Sequence, residues 1–386
     1  MERHFSRLST SKKAKTFNKL WQPIIHLSPG IPELTSRGDR PLQMNFEDEL
    51  KSLVFFHLEE HHSGRHLLQV LQEDDFAQNH IAPEAGIKKS SFFEAINNRG
   101  LEQLTYIFKE LYIQASKTIP KEYEYLGDMV AIDGSLINAV LSMNWAEYRK
   151  GSNKAKIHLG FDVNRSIPSK IFLTHGNGPE RPFVSKLLSP GQTGLLDRGY
   201  QNHHLFDQWQ EEKVHFICRI KADTLKHCIQ MNPISDQSIV FYDAVVLLGT
   251  LDVNQTEKPV RVVGYHVDSV DYWIATNRFD LSGEEIALAY KLRWEIEKFF
   301  AWWKRHLKVY HLIARSEYGL MVQILSGLIT YLLIAIYCQE NYNEKVNIKR
   351  VRELRIQIQN EARESANDSD YHESNARLET QYPAKT

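Results

Sequence analysis

The chain has 386 residues, 42% of them hydrophobic, enough for one large core or two smaller ones. With 47 Lys and Arg against 48 Asp and Glu, the net charge of −1 neither supports nor excludes a nucleic-acid partner; a DNA-binding protein with this balance must segregate its charge. The three cysteines, Cys218, Cys228 and Cys338, have no CxxC spacing, which argues against a disulfide framework or a thiolate zinc site.

The opening MERHFSRLSTSKK lacks an apolar core segment, so no secretory signal is read there and a cytoplasmic location is expected. Residues 1–45 read as a basic, weakly ordered arm. Arg3, Arg7, Lys12, Lys13, Lys15 and Lys19 supply the charge, and Pro23, Pro29, Pro32 and Pro41 interrupt helix. Residues 46–120 read as helical. In APEAGIKKSSFFEAINNRG, Gly86 marks a turn and Ser91 with Glu94 a capping box, so two short helices about a turn fit a helix-turn-helix that contacts DNA or, equally, a plain bundle. Within this stretch His57-Leu58-Glu59-Glu60-His61 matches the inverted zinc-protease pattern. No clear third ligand follows it, and a solvated His-rich helix is the ordinary explanation.

From about residue 126 the texture changes. GDMVAIDGSLIN, AKIHLGFDVN and PSKIFLTHGN read as strands, PERPFVSKLLS as a helix, GLLDRGY as a short buried strand, HHLFDQWQEEK as a helix and VHFICRIKA as a strand. The order βββαβαβ predicts an α/β fold with a mixed sheet covered by helices. Residues 223–277 read as a β-rich insertion, followed by one long helix from Ser282 through Glu297 towards Lys308. The run from Leu320 to Cys338 is long enough to span a bilayer, but it carries Gln323, Ser326 and Thr330 and reads better as a buried core helix. Residues 341–386 are polar, and their end reads as disordered.

Two strands end in an acid, Asp133 in AIDGS and Asp197 in LLDRGY. If the first and fourth strands are neighbours, the two carboxylates lie side by side and repel unless a cation neutralises them; hard oxygen donors suit Mg²⁺ or Mn²⁺. Either Asp alone is as readily a turn former. In the helix YKLRWEIEKFFAWWK, counting about 100° per residue from Tyr290, Arg293 falls near about 300°, Glu297 near about 340° and Lys304 near about 320°. An acid and two bases on one stripe suit a metal ligand flanked by phosphate holders, or an i,i+4 ion pair on a solvated face.

Tyr290, Arg293, Glu297 and Lys304, separated by two, three and six residues, reproduce the Tyr-Arg-Glu-Lys signature of a group of bacterial insertion-sequence DDE transposases. The chain resembles that family from about residue 126 to about 340. The resemblance implies an RNase H-like catalytic core with a β-insertion and an N-terminal helical DNA-binding domain. It implies Asp133, Asp197 and Glu297 as catalytic residues and ligands of two Mg²⁺ or Mn²⁺ ions, with Tyr290, Arg293 and Lys304 at phosphates. It further implies cut-and-paste transposition through a hairpin intermediate, and Trp273 as the platform for a flipped base. The partners so implied are double-stranded DNA and a second copy of the chain. Arg198, beside Asp197, is a candidate DNA contact or an ordinary exposed turn residue. Residues 146–221 hold 12 Lys and Arg against 7 Asp and Glu, a local basic excess where DNA is expected. Two alternatives remain: a metal-dependent nuclease on the same fold, and a decayed transposase that only binds DNA.

Overall fold

The computed structural model describes residues 15–34, 42–59, 61–307, 309–361 and 363. The chain divides into two compact units, residues 1–119 with 303–386, and residues 120–302. The long apolar segment therefore groups with the N-terminal helices, not with the strands.

The first unit contains α1 (Lys15–Leu27), α2 (Phe46–Leu58), α3 (Gly64–Glu73), α4 (Asp75–His80), α5 (Lys89–Asn98), α6 (Leu101–Thr118) and α11 (Glu317–Tyr342). The side chains of Asn45, Ser63, Asp74 and Ser316 cap α2, α3, α4 and α11 by accepting otherwise orphaned N–H groups. Helix α11 is apolar on every side and packs against α1, α2, α5 and α6, as a helix with no polar face must. Its most hydrophobic window is 94% buried within the protein, in agreement with the core-helix reading. The polar groups on it are satisfied internally. Gln323 accepts from Ile313 N, and Ser326 and Thr330 donate to carbonyls of the preceding turn. Asn343, in the left-handed region at φ 54°, ends the helix.

Three local expectations are corrected. Within the stretch read as a weakly ordered arm, α1 forms despite Pro23, because Phe17, Leu20, Trp21 and Ile24 make one buried stripe. The arm residues Arg3, Arg7, Lys12 and Lys13 lie outside the described residues. In the tail, residues 348–361 form a helix whose Val351, Leu354 and Ile358 are buried; Arg355 donates to the Leu58 and His306 carbonyls, and Glu361 accepts from Thr16. Residues 364–386 lie outside the described residues. The capping box at Ser91 and Glu94 is absent. Helix α5 starts at Lys89, Ser91 donates to Gln43, and Glu94 pairs with Arg99.

Of the zinc pattern, Glu60 lies outside the described residues, and among the described ones no metal-holding group assembles. His57 is fully enclosed, its ring nitrogens lie against the Leu307 and Gln323 carbonyls and Ser326 Oγ, and burial lowers its pKa to about 4. Glu49, on the same helix, is wholly buried, and neither oxygen has a hydrogen-bond partner. Burial pushes its carboxyl up to about 8, with nearby Arg99 opposing. A raised acid pKa favours the folded state at low pH, and that advantage is lost as pH rises from the unfolded value of about 4.5 through 8. Glu49→Gln is thus expected to match the wild type near pH 5. At pH 9 it should be more stable by a few kcal/mol, since each tenfold change in a protonation equilibrium is worth about 1.4 kcal/mol. Urea melts at both pH values give the comparison.

The second unit is built on one ten-stranded sheet. Its strands are β1 (Met129–Ala139), β2 (Glu147–Arg149), β3 (Ser152–Asp162), β4 (Ile167–His175), β5 (Thr193–Leu196), β6 (His215–Arg219), β7 (Lys226–Met231), β8 (Val240–Leu248), β9 (Val260–Val267) and β10 (Val270–Thr276). The order is β2-β3-β1-β5-β6-β10-β9-β8-β7, with β4 also paired to β3. Only β1–β5 and β5–β6 are parallel; the other pairs are antiparallel. Short α7 (Val184–Leu187) precedes β5, and α8 (His203–Glu211) makes the crossover from β5 to β6. The β-rich insertion joins the same sheet, since β10 pairs with β6. Val130, Ile132, Leu196, Phe206, Trp209, Phe216 and Val262 share one core.

Helices α9 (Gly283–Leu292) and α10 (Trp294–His306) replace the single long helix expected. The break falls at Arg293, whose N–H reaches back only three residues to the Tyr290 carbonyl. Ser282 and Glu285 form a full capping box at the start of α9.

Candidate active site

Strand β1 does not end at Asp133, as expected, but runs on to Ala139 in its pairing with β3. Its parallel pairing with β5 does end nearby, at Ala131 opposite Leu195. Two residues on from each partner are Asp133 and Asp197, so the two acids sit at the same level just past the last paired residues of the β1–β5 ladder. Neighbouring strands lie about 4.8 Å apart, which makes the carboxylates neighbours. Each accepts one backbone N–H at Oδ1, from Gly134 and from Gly199 respectively, at 2.8 Å. Burial pushes the Asp133 carboxyl up to about 7. The Gly134 N–H and Arg293 oppose this, while the fields of Asp197 and Glu180 add to it.

Arg293 sits at the break between α9 and α10, almost wholly buried, and its Nη2 donates to Glu297 Oε1 at 2.7 Å. Its guanidinium also lies over Tyr290, 5.8 Å from the ring centre, and over the exposed Trp294, 5.3 Å away. Tyr290 is buried, with its hydroxyl pushed up to about 12 by that burial, so it supports Arg293 from behind. The ion pair named as the bland alternative for the helix stripe is therefore formed, and it points into the field of Asp133.

Among the described residues no three His, Cys, Asp or Glu side chains converge closely enough to hold a metal ion. The three-carboxylate set expected from the sequence is not closed in this arrangement, because Glu297 is committed to Arg293. The donor chemistry at the strand ends nevertheless fits a hard divalent cation: two adjacent carboxylates, one of them disfavoured as an anion by burial, each with a single hydrogen bond.

Trp273, on β10, is half-buried. Lys226 Nζ stands 4.2 Å from its ring centre, Phe241 packs edge-on at 5.2 Å and Tyr242 lies at the same distance. A base stacking on it must first displace Lys226. Arg198 is exposed in the short turn after Asp197. Lys304 is half-buried on α10 and belongs to the first unit.

Sequence reasoning passed over Glu180. Its carboxylate lies against Gly134, accepts from Lys156 Nζ at 2.9 Å, and acts electrostatically on Asp133. The signal was the glycine directly after Asp133: a Cβ there would come within 2.9 Å of the Glu180 carboxylate.

On a mixed α/β scaffold, a parallel strand pair brings two aspartates to one level, and the Arg–Glu pair at the break between α9 and α10 lies in the field of one of them. The family described as the transposase DDE domain matches residues 125–333, more than half of the chain, and the chain belongs to it. It is similar to the "Probable transposase for insertion sequence element IS5377" of Geobacillus stearothermophilus, 28% identical over 214 residues, 55% of this chain and 57% of that protein. It is also similar to the "Putative transposase for insertion sequence element IS4SA" of Synechocystis sp., 24% identical over 243 residues, 59% of this chain and 66% of that one. A third relative is the "Putative transposase y4zB" of Sinorhizobium fredii, 25% identical over 216 residues, 54% of this chain and 61% of that one. The chain thus spans 57% to 66% of the length of these curated relatives.

Proposed function

We propose that this protein is a DNA transposase that cuts an insertion sequence from its flanks and joins it to a new site. The observation that carries this reading is the equal level of Asp133 and Asp197 on parallel β1 and β5, within a chain of the DDE family. The strand order β4-β3-β1-β5-β6, with a helical crossover from β5 to β6, supports an RNase H-like core extended by β7–β10. Asp133, Asp197 and, once released from Arg293, Glu297 would hold Mg²⁺ or Mn²⁺, two ions per site. When bound, the ions supply Lewis-acid activation of the attacking oxygen and charge neutralisation at the leaving one.

The chain's own groups do the rest. Arg293, held by Tyr290, is placed to take a phosphate oxygen in exchange for Glu297. Arg198 and Lys304 would bind backbone phosphates, and the helices about Gly86 would read the terminal repeat. Cleavage breaks the P–O3′ bond as a water oxygen bonds to phosphorus, releasing a 3′-hydroxyl. The oxygen of that hydroxyl, giving up its proton, then bonds to the phosphorus of the opposite strand and breaks its P–O3′ bond to the flank, so the transposon end closes as a hairpin and the flank leaves with a 3′-hydroxyl. Trp273 would receive the flipped base after Lys226 moves. Two ends call for two copies of the chain, acting in the cytoplasm on the bacterial chromosome.

The hairpin step has a direct readout. A duplex labelled at the transposon end and incubated with protein and Mg²⁺ should give, on a denaturing gel, a product near twice the single-strand length. Trp273→Ala should leave the first nick intact and reduce that product about tenfold or more. Staggered double-strand breaks without any long product would contradict the hairpin route.

A further inference from the structure

We infer that Glu180 is a positioning residue of this site, part of a clasp that holds the strand of Asp133 and the turn of Asp197 at one level; the inference rests on the metal-dependent reading above. Glu180 lies in the turn after β4. Lys156 of β3 fastens that turn to the sheet, donating to the Gly178 carbonyl at 3.0 Å and to Glu180 Oε1 at 2.9 Å. From there the chain reaches the neighbourhood of both aspartates. On the Asp197 side, Arg181 Nε donates to the Gly199 carbonyl at 3.0 Å, gripping the turn that Asp197 itself caps. On the Asp133 side, the Glu180 carboxylate rests on the bare Cα of Gly134; a Cβ at 134 would stand 2.9 Å from Glu180 Cδ and Oε1.

The two contacts are made by consecutive residues, Glu180 at Gly134 and Arg181 at Gly199, and Lys156 anchors the turn that carries both, so the spacing of the acids depends on that turn. Strand pairing cannot do this alone, because the β1–β5 ladder stops at Ala131 and Leu195 and both acids lie beyond it. Glycine at 134 is then a requirement of the clasp: alanine there drives the Glu180 side chain away, since a flexible carboxylate yields before a paired strand does. Groups that orient metal ligands from outside the first layer typically change metal affinity by tenfold or more when removed.

The test is Mn²⁺ affinity of the full chain by isothermal titration, with thermal stability in EDTA measured alongside. Glu180→Ala is expected to weaken Mn²⁺ binding about tenfold. Gly134→Ala should do the same, and the double variant should be no worse than either alone, because both remove one contact. Glu180→Gln, which still accepts from Lys156 and still rests on Gly134, should stay within about threefold of wild type. A purely structural role would lower melting temperature in EDTA and leave Mn²⁺ affinity unchanged, which overturns the clasp. Additive losses in the double variant, or Glu180→Gln as weak as Glu180→Ala, overturn it too. A wild-type chain that binds no Mn²⁺ takes down the metal reading itself, an outcome distinct from any of these.

Discussion

Glu297→Gln should lower DNA strand cleavage on the order of a thousandfold or more, while affinity for end DNA stays within about threefold. The reasoning begins from what Glu297 does in the folded chain. One oxygen accepts from Arg293 at 2.7 Å, and the side chain is 37% exposed. With the carboxylate open to solvent and the guanidinium buried, the pair contributes on the order of 1 kcal/mol to stability. Glutamine keeps an acceptor for the buried guanidinium, so Arg293 is not stranded and the variant should fold. A group of low structural value that the proposed mechanism enlists as the third carboxylate is a group whose loss appears in the chemistry. Single-turnover cleavage of a labelled end, run beside a binding titration and a melting curve, separates the effects. Loss of cleavage with intact binding and melting is expected. Near-normal cleavage by the variant would remove Glu297 from the site.

The second large effect lies in the insertion. Asp243 on β8 and Arg261 on β9 form a buried two-pronged pair, Nε to Oδ1 at 2.8 Å and Nη2 to Oδ2 at 2.6 Å. Arg261 also donates to the Arg278 carbonyl, at the entry to α9, and Asn232 completes the shell of Asp243. Removing one partner leaves a charge buried without its mate, which costs about 3–5 kcal/mol, whereas replacing both by apolar groups of similar size is often close to neutral. Arg261→Met should therefore lower unfolding free energy by about that amount, and Asp243→Leu with Arg261→Met should recover most of it. Urea melts of the wild type and the two variants decide the matter. Because α9 leads directly to Arg293, Arg261→Met should also loosen the site, with cleavage lost at temperatures where the double variant still works.

The central geometry was legible because it rests on period and termination. Apolar runs that stop at Asp133 and Asp197 announced two strands bearing acids, and the order βββαβαβ made the first and fourth strands candidate neighbours. The β1–β5 ladder makes them so. The i,i+4 relation of Arg293 and Glu297 was equally plain from helical spacing. What stayed hidden depended on long-range partners. The break at Arg293 is invisible in a run of good helix formers; it arises where the guanidinium is buried against Tyr290 and Glu297. Helix α1 and the helix over 348–361 were masked by Pro23 and by dense charge, and they form because three or four apolar side chains each find the core of the helical unit. Glu180 carried no motif, and its contacts are to residues far along the chain. The family resemblance implied Trp273 as a base platform; its cover, Lys226, is distant in sequence and appears only when β7 and β10 join one sheet.

The measurement that tests the account most directly is cleavage of a labelled duplex carrying the element's terminal repeat, with Mg²⁺ or with EDTA, by the wild type and by Asp133→Asn. The account predicts nicking at the repeat boundary with Mg²⁺ alone, abolished in the variant while the repeat is still bound. Cleavage that survives EDTA, or that Asp133→Asn leaves unchanged, would contradict it.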